Sequence, residues 1–150
     1  TVGVGGDSIM GAHGITVSAD VPEEFYRDSN PEMIIIPGGM PGTKNLDASV
    51  TVHKAIDLAI EQNAYIAAIC AAPMILGKRG MLQGKSAVCY PSFEEYLKGA
   101  NIPDAKKLVL DGKIITAKAC GVALKFGKVI AEQFIGKEKA DKLWETLYND

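Results

Sequence analysis

The stretch that decides the fold is YIAAICAAPMILGKRGML, residues 65–82. A short apolar run meets a cysteine, two alanines and a proline, and then takes up helical spacing. Read physically, Ala64 to Ile69 is a strand buried on both faces, and the segment from Ala71 to Gly80 is the helix that follows it. Pro73 fits the first turn of that helix, where its missing N–H leaves no bond unmade. Cys70 falls at the turn between them.

The neighbouring segments repeat this alternation. MIIIPGG (33–39) is a β-branched run stopped by Pro37 and two glycines, the pattern of a second doubly buried strand. Ser49 is a good N-cap for an amphipathic helix through Val52, Ile56, Leu58, Ala59 and Ile60, ending near Asn63. SAVCY (86–90) reads as a strand and SFEEYLKGA (92–100) as a short helix. LVLDGKIIT (108–116) reads as a hairpin turning on Asp111-Gly112.

Helical spacing returns from Gly121 to Ile135 through Leu124, Val129, Ile130 and Phe134. After Gly136 a last helix carries Leu143, Trp144 and Leu147. At the start, Val2–Val4 ends a strand, a small hairpin turns at Gly11–Gly14, and Pro22-Glu-Glu opens a short helix. Strands alternating with helices imply an α/β fold with a mostly parallel sheet, in one domain spanning residues 1–150.

Composition excludes several classes of function. The chain is 47% hydrophobic and 23% charged with a net charge of −2, so it has no electrostatic footprint for nucleic acid and no basic membrane-binding helix. No apolar run is long enough to span a bilayer. Three cysteines without C-x-x-C spacing, and two histidines, suggest neither a disulfide framework nor a metal site. No phosphate loop or cofactor fingerprint is present, so no cofactor is expected. A reducing, cytoplasmic location is the default.

In a sheet of this kind ligands bind beyond the carboxyl ends of the strands. Two candidate segments lie there, Pro37-Gly38-Gly39-Met40-Pro41-Gly42 and the elbow at Cys70. Free N–H groups and the helix dipole favour a thiolate at such an elbow. The N–H groups of Gly38, Gly39 and Ala71 are suited to cradling an oxyanion. The alternative is that Cys70 is core filler, since cysteine is among the most buried residue types. The elbow beside a Gly-Gly loop favours the reactive reading.

Taken together, MIIIPGGMPGTKNL (33–46), the quoted stretch, GKSAVCYPSFEEYLKGA (84–100) and the run from Leu108 to Leu143 resemble the ThiJ/PfpI family, the DJ-one superfamily. GDSIMGAHGITVSAD (6–20) is similar to that family's early hairpin. The resemblance covers essentially the whole chain. It implies a flavodoxin-like, class I glutamine amidotransferase-like three-layer sandwich with Cys70 as the elbow nucleophile, and a homodimer.

Three departures from the family pattern qualify that picture. Ala71 stands where peptidase-like members have a histidine, so a Cys–His dyad and peptidase activity are not expected. Tyr90 stands where other members have a histidine. It is either a hydrogen-bond donor or, with Met40 and Cys89, part of the pocket wall. Third, family members begin with a further strand and helix carrying a glutamate that bonds the thiol. Such a unit takes about 30 residues, and the expectation is that it is missing here or supplied as a separate N-terminal fragment.

Among the other candidates, Cys120 reads as a small buried residue, His13 as a surface or dimer-contact residue, and His53 as solvent-exposed. The late lysines read as a solvated face. Cys89, if it faced Cys70, would permit a disulfide on oxidation.

The function this implies is a cysteine-dependent, cofactor-independent stress-response protein of glyoxalase or deglycase type. Cys70 would add to small reactive carbonyls such as methylglyoxal. The alternative is a non-enzymatic redox sensor or chaperone acting through Cys70 oxidation. A further alternative is the family's thiazole monophosphate (thiamin) biosynthesis or intracellular protease label.

Overall fold

The computed structural model describes residues 1–27 and 30–147 of the chain. Its strands are β1 (Val2–Gly3), β2 (Ser8–Met10), β3 (Thr16–Ser18), β4 (Val21–Pro22), β5 (Met33–Ile36), β6 (Tyr65–Ile69), β7 (Leu108–Asp111) and β8 (Ile114–Ala117). The helices are α1 (Gly42–Ala48), α2 (Val50–Glu61), α3 (Pro73–Lys78), α4 (Ala123–Ile135) and α5 (Lys137–Thr146). The main sheet has the order β5-β6-β8-β7. Its first two pairings are parallel and the β7–β8 hairpin is antiparallel.

The central strand β6 alternates its side chains between two cores, as a strand covered on both faces must. Ile66 and Ala68 pack with Ile56, Ala59, Ile75 and Leu76 beneath α2 and α3. Ala67 turns the other way, to Ile115, Ala117 and Phe126 beneath α4. The sheet is thus the middle layer of a three-layer sandwich. The small side chains of Ala67 and Ala68, both fully buried, let helices lie close on either side.

Helix α2 starts where Ser49 caps it, the Ser49 Oγ accepting from the Val52 N–H at 3.3 Å. Its buried stripe is Ala55, Ile56 and Ala59, while Ile60 points outward. In the chain's first part β2 and β3 form the expected hairpin, with Ile9 opposite Val17, and a single 3-10 turn covers Glu23–Phe25.

Several details depart from the sequence reading. Strand β5 is not buried on both faces: among the described residues it pairs only with β6, which leaves it at the sheet's edge with Ile35 54% exposed. Residues 86–90 form no strand. Their N–H groups pair instead with scattered acceptors: Ala87 with the Asn101 carbonyl, Val88 with the Thr116 Oγ1, and Tyr90 with the Cys70 carbonyl.

The expected helix over 92–100 shrinks to one 3-10 turn, Glu94–Tyr96, and α3 ends at Lys78. Asp111 pairs with Ile114, so the hairpin turns on Gly112-Lys113, one residue later than expected, with Gly112 supplying the positive φ of 62°. Helix α1 was not anticipated at all. On α4 the inward residue is Phe126, with Val129 and Ile130 beside it, whereas Leu124 and Phe134 are exposed.

Candidate functional site around Cys70

Strand β6 delivers the chain to Cys70, where the backbone turns sharply. Cys70 has φ 64°, in the left-handed region that non-glycine residues seldom occupy. Three hydrogen bonds hold it there. The Cys70 N–H donates to the Ala117 carbonyl at 2.9 Å, the Cys70 carbonyl accepts from the Tyr90 N–H at 2.7 Å, and the Ala72 N–H donates to the Ile69 carbonyl at 3.1 Å. Strain of order 1–3 kcal/mol is thereby fixed by the surroundings at one residue.

The Gly-Gly loop at the end of β5 closes against this elbow. A Cβ placed on Gly38 would lie 2.4 Å from the Cys70 Cβ, 2.5 Å from the Ile69 carbonyl oxygen and 3.2 Å from the Ala71 nitrogen. Only glycine allows so close an approach. Gly39 has φ 88°, and its carbonyl accepts from the Thr43 N–H at 2.8 Å, which ties the loop to the start of α1. Among the described residues the N–H groups of Gly38, Gly39 and Ala71 donate to no protein acceptor. Loop and elbow together therefore present unspent donors beside a half-buried thiol. Because α3 has only six residues, these local N–H groups matter more there than a helix dipole.

The remaining candidates are placed as follows. Tyr90 is 46% exposed, joined to Cys70 through its backbone, with its ring edge-on to Phe93. Met40 stands on the Gly-Gly loop and is 37% exposed. Cys89 is buried, and burial pushes its thiol up to about 12; negative charge at Glu94 and at Cys70 adds to this, and Lys118 opposes it. Such a thiol is a poor nucleophile near neutral pH. No group of three metal-ligating side chains occurs among the described residues. Nor, among them, is any helix long and apolar enough to cross a membrane.

Two expectations about isolated residues are overturned. Cys120 is exposed, because it opens a 3-10 turn at the surface instead of packing under α4. His53 is half-buried: one ring nitrogen bonds the Asp47 carbonyl at 2.8 Å and the other receives Arg79 Nη1 at 2.7 Å. Of the late lysines, Lys125, Lys137, Lys139 and Lys142 lie on a solvated face, with ion pairs such as Lys142–Glu138 at 2.9 Å. Lys128, by contrast, is half-buried between α4 and α5, where it pairs with Asp141 at 2.5 Å and lies over the Trp144 ring.

Sequence reasoning missed Thr116. It is fully buried on β8, and its Oγ1 accepts from the Val88 N–H at 3.0 Å, which fixes the segment carrying Cys89 and Tyr90 over the strand ends. A lone threonine among Ile114, Ile115 and Ala117 was the available signal.

Comparison with known proteins places this geometry. The chain is 36% identical over 129 residues to protein DJ-1 homolog B of Arabidopsis thaliana, covering 85% of this chain and 30% of the relative. It is 27% identical over 136 residues to the Caenorhabditis elegans protein named glutathione-independent glyoxalase DJR-1.2, covering 91% and 73%. The chain thus spans less than a third of the Arabidopsis relative's length and about three quarters of the nematode protein's.

The crystal structure of Drosophila melanogaster DJ-1beta superposes with a TM-score of 0.90 at 30% identity, covering 97% of this chain and 78% of that one. Oxidized Toxoplasma gondii DJ-1 superposes with a TM-score of 0.86 at 29% identity, covering 95% and 77%. The sequence profile described as the DJ-1/PfpI family matches residues 1–133. The chain, with its flavodoxin-like sheet and its cysteine at the strand-to-helix elbow, belongs to the DJ-1/PfpI family.

Proposed function

We propose that the protein is a stress-response protein whose Cys70 thiolate adds to small reactive carbonyls, with 2-oxoaldehydes such as methylglyoxal as the first substrate class. The observation that carries this reading is the approach of Gly38 to Cys70, which sets undonated N–H groups around a half-buried thiol. The nematode relative's name, a glutathione-independent glyoxalase, supports it.

In the proposed reaction Cys70 Sγ bonds to the aldehyde carbon, and the carbonyl π electrons move to oxygen. The Gly39 and Ala71 N–H groups hold that oxyanion until it is protonated to the hemithioacetal. A base then moves the C1 proton to C2 through an enediol, leaving a thioester of lactate. Water releases lactate and returns the thiol. Atoms and electrons balance without an external oxidant, reductant or cofactor.

The test is lactate formation from methylglyoxal by the wild type and by Cys70→Ser. Turnover that disappears in the variant supports the proposal; equal turnover in both, or none in the wild type, overturns it. A second reading, oxidant sensing by Cys70, is favoured by the same N–H groups, which would stabilise a sulfinate, and by the oxidized Toxoplasma neighbour. Loss of one free thiol to peroxide without carbonyl turnover would select it.

For partners, we propose that an extended apolar strand occupies the slot between β1 and β5. An apolar space of about 500 Å³ opens there, with Val2 and Val4 on one side and Met33–Ile36 on the other. The backbone edge of β5 facing it pairs with no strand among the described residues. A homodimer is proposed on the exposed Met10, Ile15 and Val17 of the early hairpin. Native mass spectrometry distinguishes monomer, dimer and a complex with a smaller chain.

A further inference from the structure

β7 is the outer strand of the main sheet, on the side opposite β5. Which of its backbone groups face outward follows from the ladder. The Ala117 carbonyl accepts from the Cys70 N–H and the Lys113 carbonyl from the Ile66 N–H, so odd-numbered residues along β8 turn their backbone groups to β6. Even-numbered ones turn to β7, as the Lys118 N–H does in donating to the Lys107 carbonyl at 2.9 Å. In an antiparallel pair bonded and non-bonded positions alternate. Val109 and Asp111 therefore bond to β8, and the N–H and C=O groups of Leu108 and Leu110 point away from the sheet.

Among the described residues no strand pairs with that edge. Edges are ordinarily guarded by a lysine or proline within the strand, or by a bulge. β7 has none of these: its register with β8 runs unbroken from Leu108 to Asp111, and its one charge is Asp111 at the far end. Leu110 is 42% exposed. A groove of about 510 Å³ opens beside the strand, with Val122 and the first turn of α4 as its other wall.

The groove is positively charged. Lys106 and Lys107 precede β7 and Lys125 stands on α4; all three are exposed and line the space, and no acid does. Among the described residues none of them pairs with a carboxylate. They gather at one end, because β8 leads into α4 at the level where β7 begins. A second copy paired antiparallel through Leu108 and Leu110 would set Lys107 opposite Asp111. That carboxylate already accepts from the Ser86 N–H at 2.7 Å and lies 4.0 Å from Lys85 Nζ, so the charge favours a different chain.

We propose that the β7 edge docks an extended segment of a partner protein, antiparallel to β7 and acidic at its C-terminal end. Its backbone bonds to Leu108 and Leu110, its apolar side chains cover Leu110 and Val122, and its acids meet Lys107 and Lys125. This mode adds a strand to the sheet. It uses neither Cys70 nor the slot between β1 and β5.

The experiment is an amide-shift NMR titration of the full chain with a capped octapeptide of alternating valine and threonine ending in two glutamates. The comparator ends in two glutamines. With the glutamate peptide, the Leu108 and Leu110 amides are expected to shift saturably and to exchange more slowly with solvent, while those of Val109 and Asp111, already bonded to β8, move little. The glutamine peptide binds more weakly. Lys107→Gln and Lys125→Gln each weaken the glutamate peptide by about two- to five-fold, the scale of an exposed ion pair, and leave the glutamine peptide unchanged. Leu110→Pro deletes an outward N–H without breaking the ladder to β8 and weakens both peptides; should it fail to fold, the lysine variants still decide. No saturable shift at Leu108 and Leu110, shifts centred on β5, or equal binding of the two peptides by the wild type overturns the proposal. So does movement of the same amides on raising the protein concentration alone, which would mean that the edge pairs with a second copy.

Discussion

Arg79 donates from Nη1 to the ring nitrogen Nδ1 of His53 at 2.7 Å, which joins α2 to the end of α3, the helix that leads away from the Cys70 elbow. With Nδ1 accepting, the His53 proton sits on Nε2, which donates to the Asp47 carbonyl at the end of α1. Arg79 also pairs with Asp57, and Lys78 reaches Asp47 at 2.6 Å. The network therefore ties α1, which follows the Gly-Gly loop, to α2 and to the end of α3, which follows the elbow.

His53→Ala is expected to destabilise the fold by about 1–3 kcal/mol, since it takes the ring partner from Arg79 Nη1 beside an Nε that is already buried without one, leaving the guanidinium its pairing with Asp57. His53→Gln keeps one polar partner and should recover part of the loss. Urea unfolding of the three proteins checks this, and equal midpoints would show the network to be incidental.

Gly38→Ala should damage the site more than its size suggests. The new methyl group would stand 2.4 Å from the Cys70 Cβ and 2.5 Å from the Ile69 carbonyl oxygen, so loop or elbow must shift. Overpacking of this kind costs about 1–3 kcal/mol, and the expected loss of Cys70-dependent turnover is at least about ten-fold. Gly127→Ala on α4 is the control, because a Cβ there meets nothing within 4 Å.

The three cysteines should alkylate in a fixed order in the native protein: exposed Cys120 and half-buried Cys70 before buried Cys89. Mass spectrometry of peptides after timed iodoacetamide treatment reads that order. Cys89 is expected to react only on unfolding. Its raised folded value sets a sign as well. The stability tied to the neutral Cys89 thiol is fully present below about 9 and is lost as pH rises from there toward about 12. Cys89→Ala should flatten that alkaline fall.

At the acid end the relevant group is Glu23. Its carboxylate accepts from Ser49 Oγ at 2.7 Å and from the Gly5 N–H at 2.9 Å, and the Ser49 bond foremost holds it below the ordinary carboxylate value. A depressed folded value contributes stability above the unfolded value, near 4.5, that is lost as pH falls through the folded one. Glu23→Gln should remove this component and leave a shallower acid limb in thermal melts between pH 5 and 3. The group is only half-buried, so solvent screening keeps the effect small.

Legibility in the sequence followed the range of the forces involved. Strands β5 and β6, helix α2 and the elbow at Cys70 were readable because periodicity, an N-cap and a proline in a first helical turn are local signals. The edge position of β5 was not, since a run such as MIIIP reads alike whether a neighbour pairs with it or not. Residues 86–90 looked like a strand because Val88 and Tyr90 favour extended backbone. Their acceptors, Thr116 Oγ1 and the Cys70 carbonyl, are 28 and 20 residues away, and nothing local announces them. His53 failed for the same reason, as its environment is made by Arg79 from another helix.

The left-handed backbone at Cys70 has a bearing on how the protein can vary. Glycine adopts φ 64° without the penalty a side chain incurs there, so Cys70→Gly should melt later than the wild type, by the few degrees that about 1 kcal/mol brings to a domain of this size. Valine, isoleucine and threonine are effectively barred by their branched Cβ. A laboratory lineage screened for heat resistance alone would thus shed the thiol early, and a lineage that keeps cysteine at this corner is under selection for something other than durability.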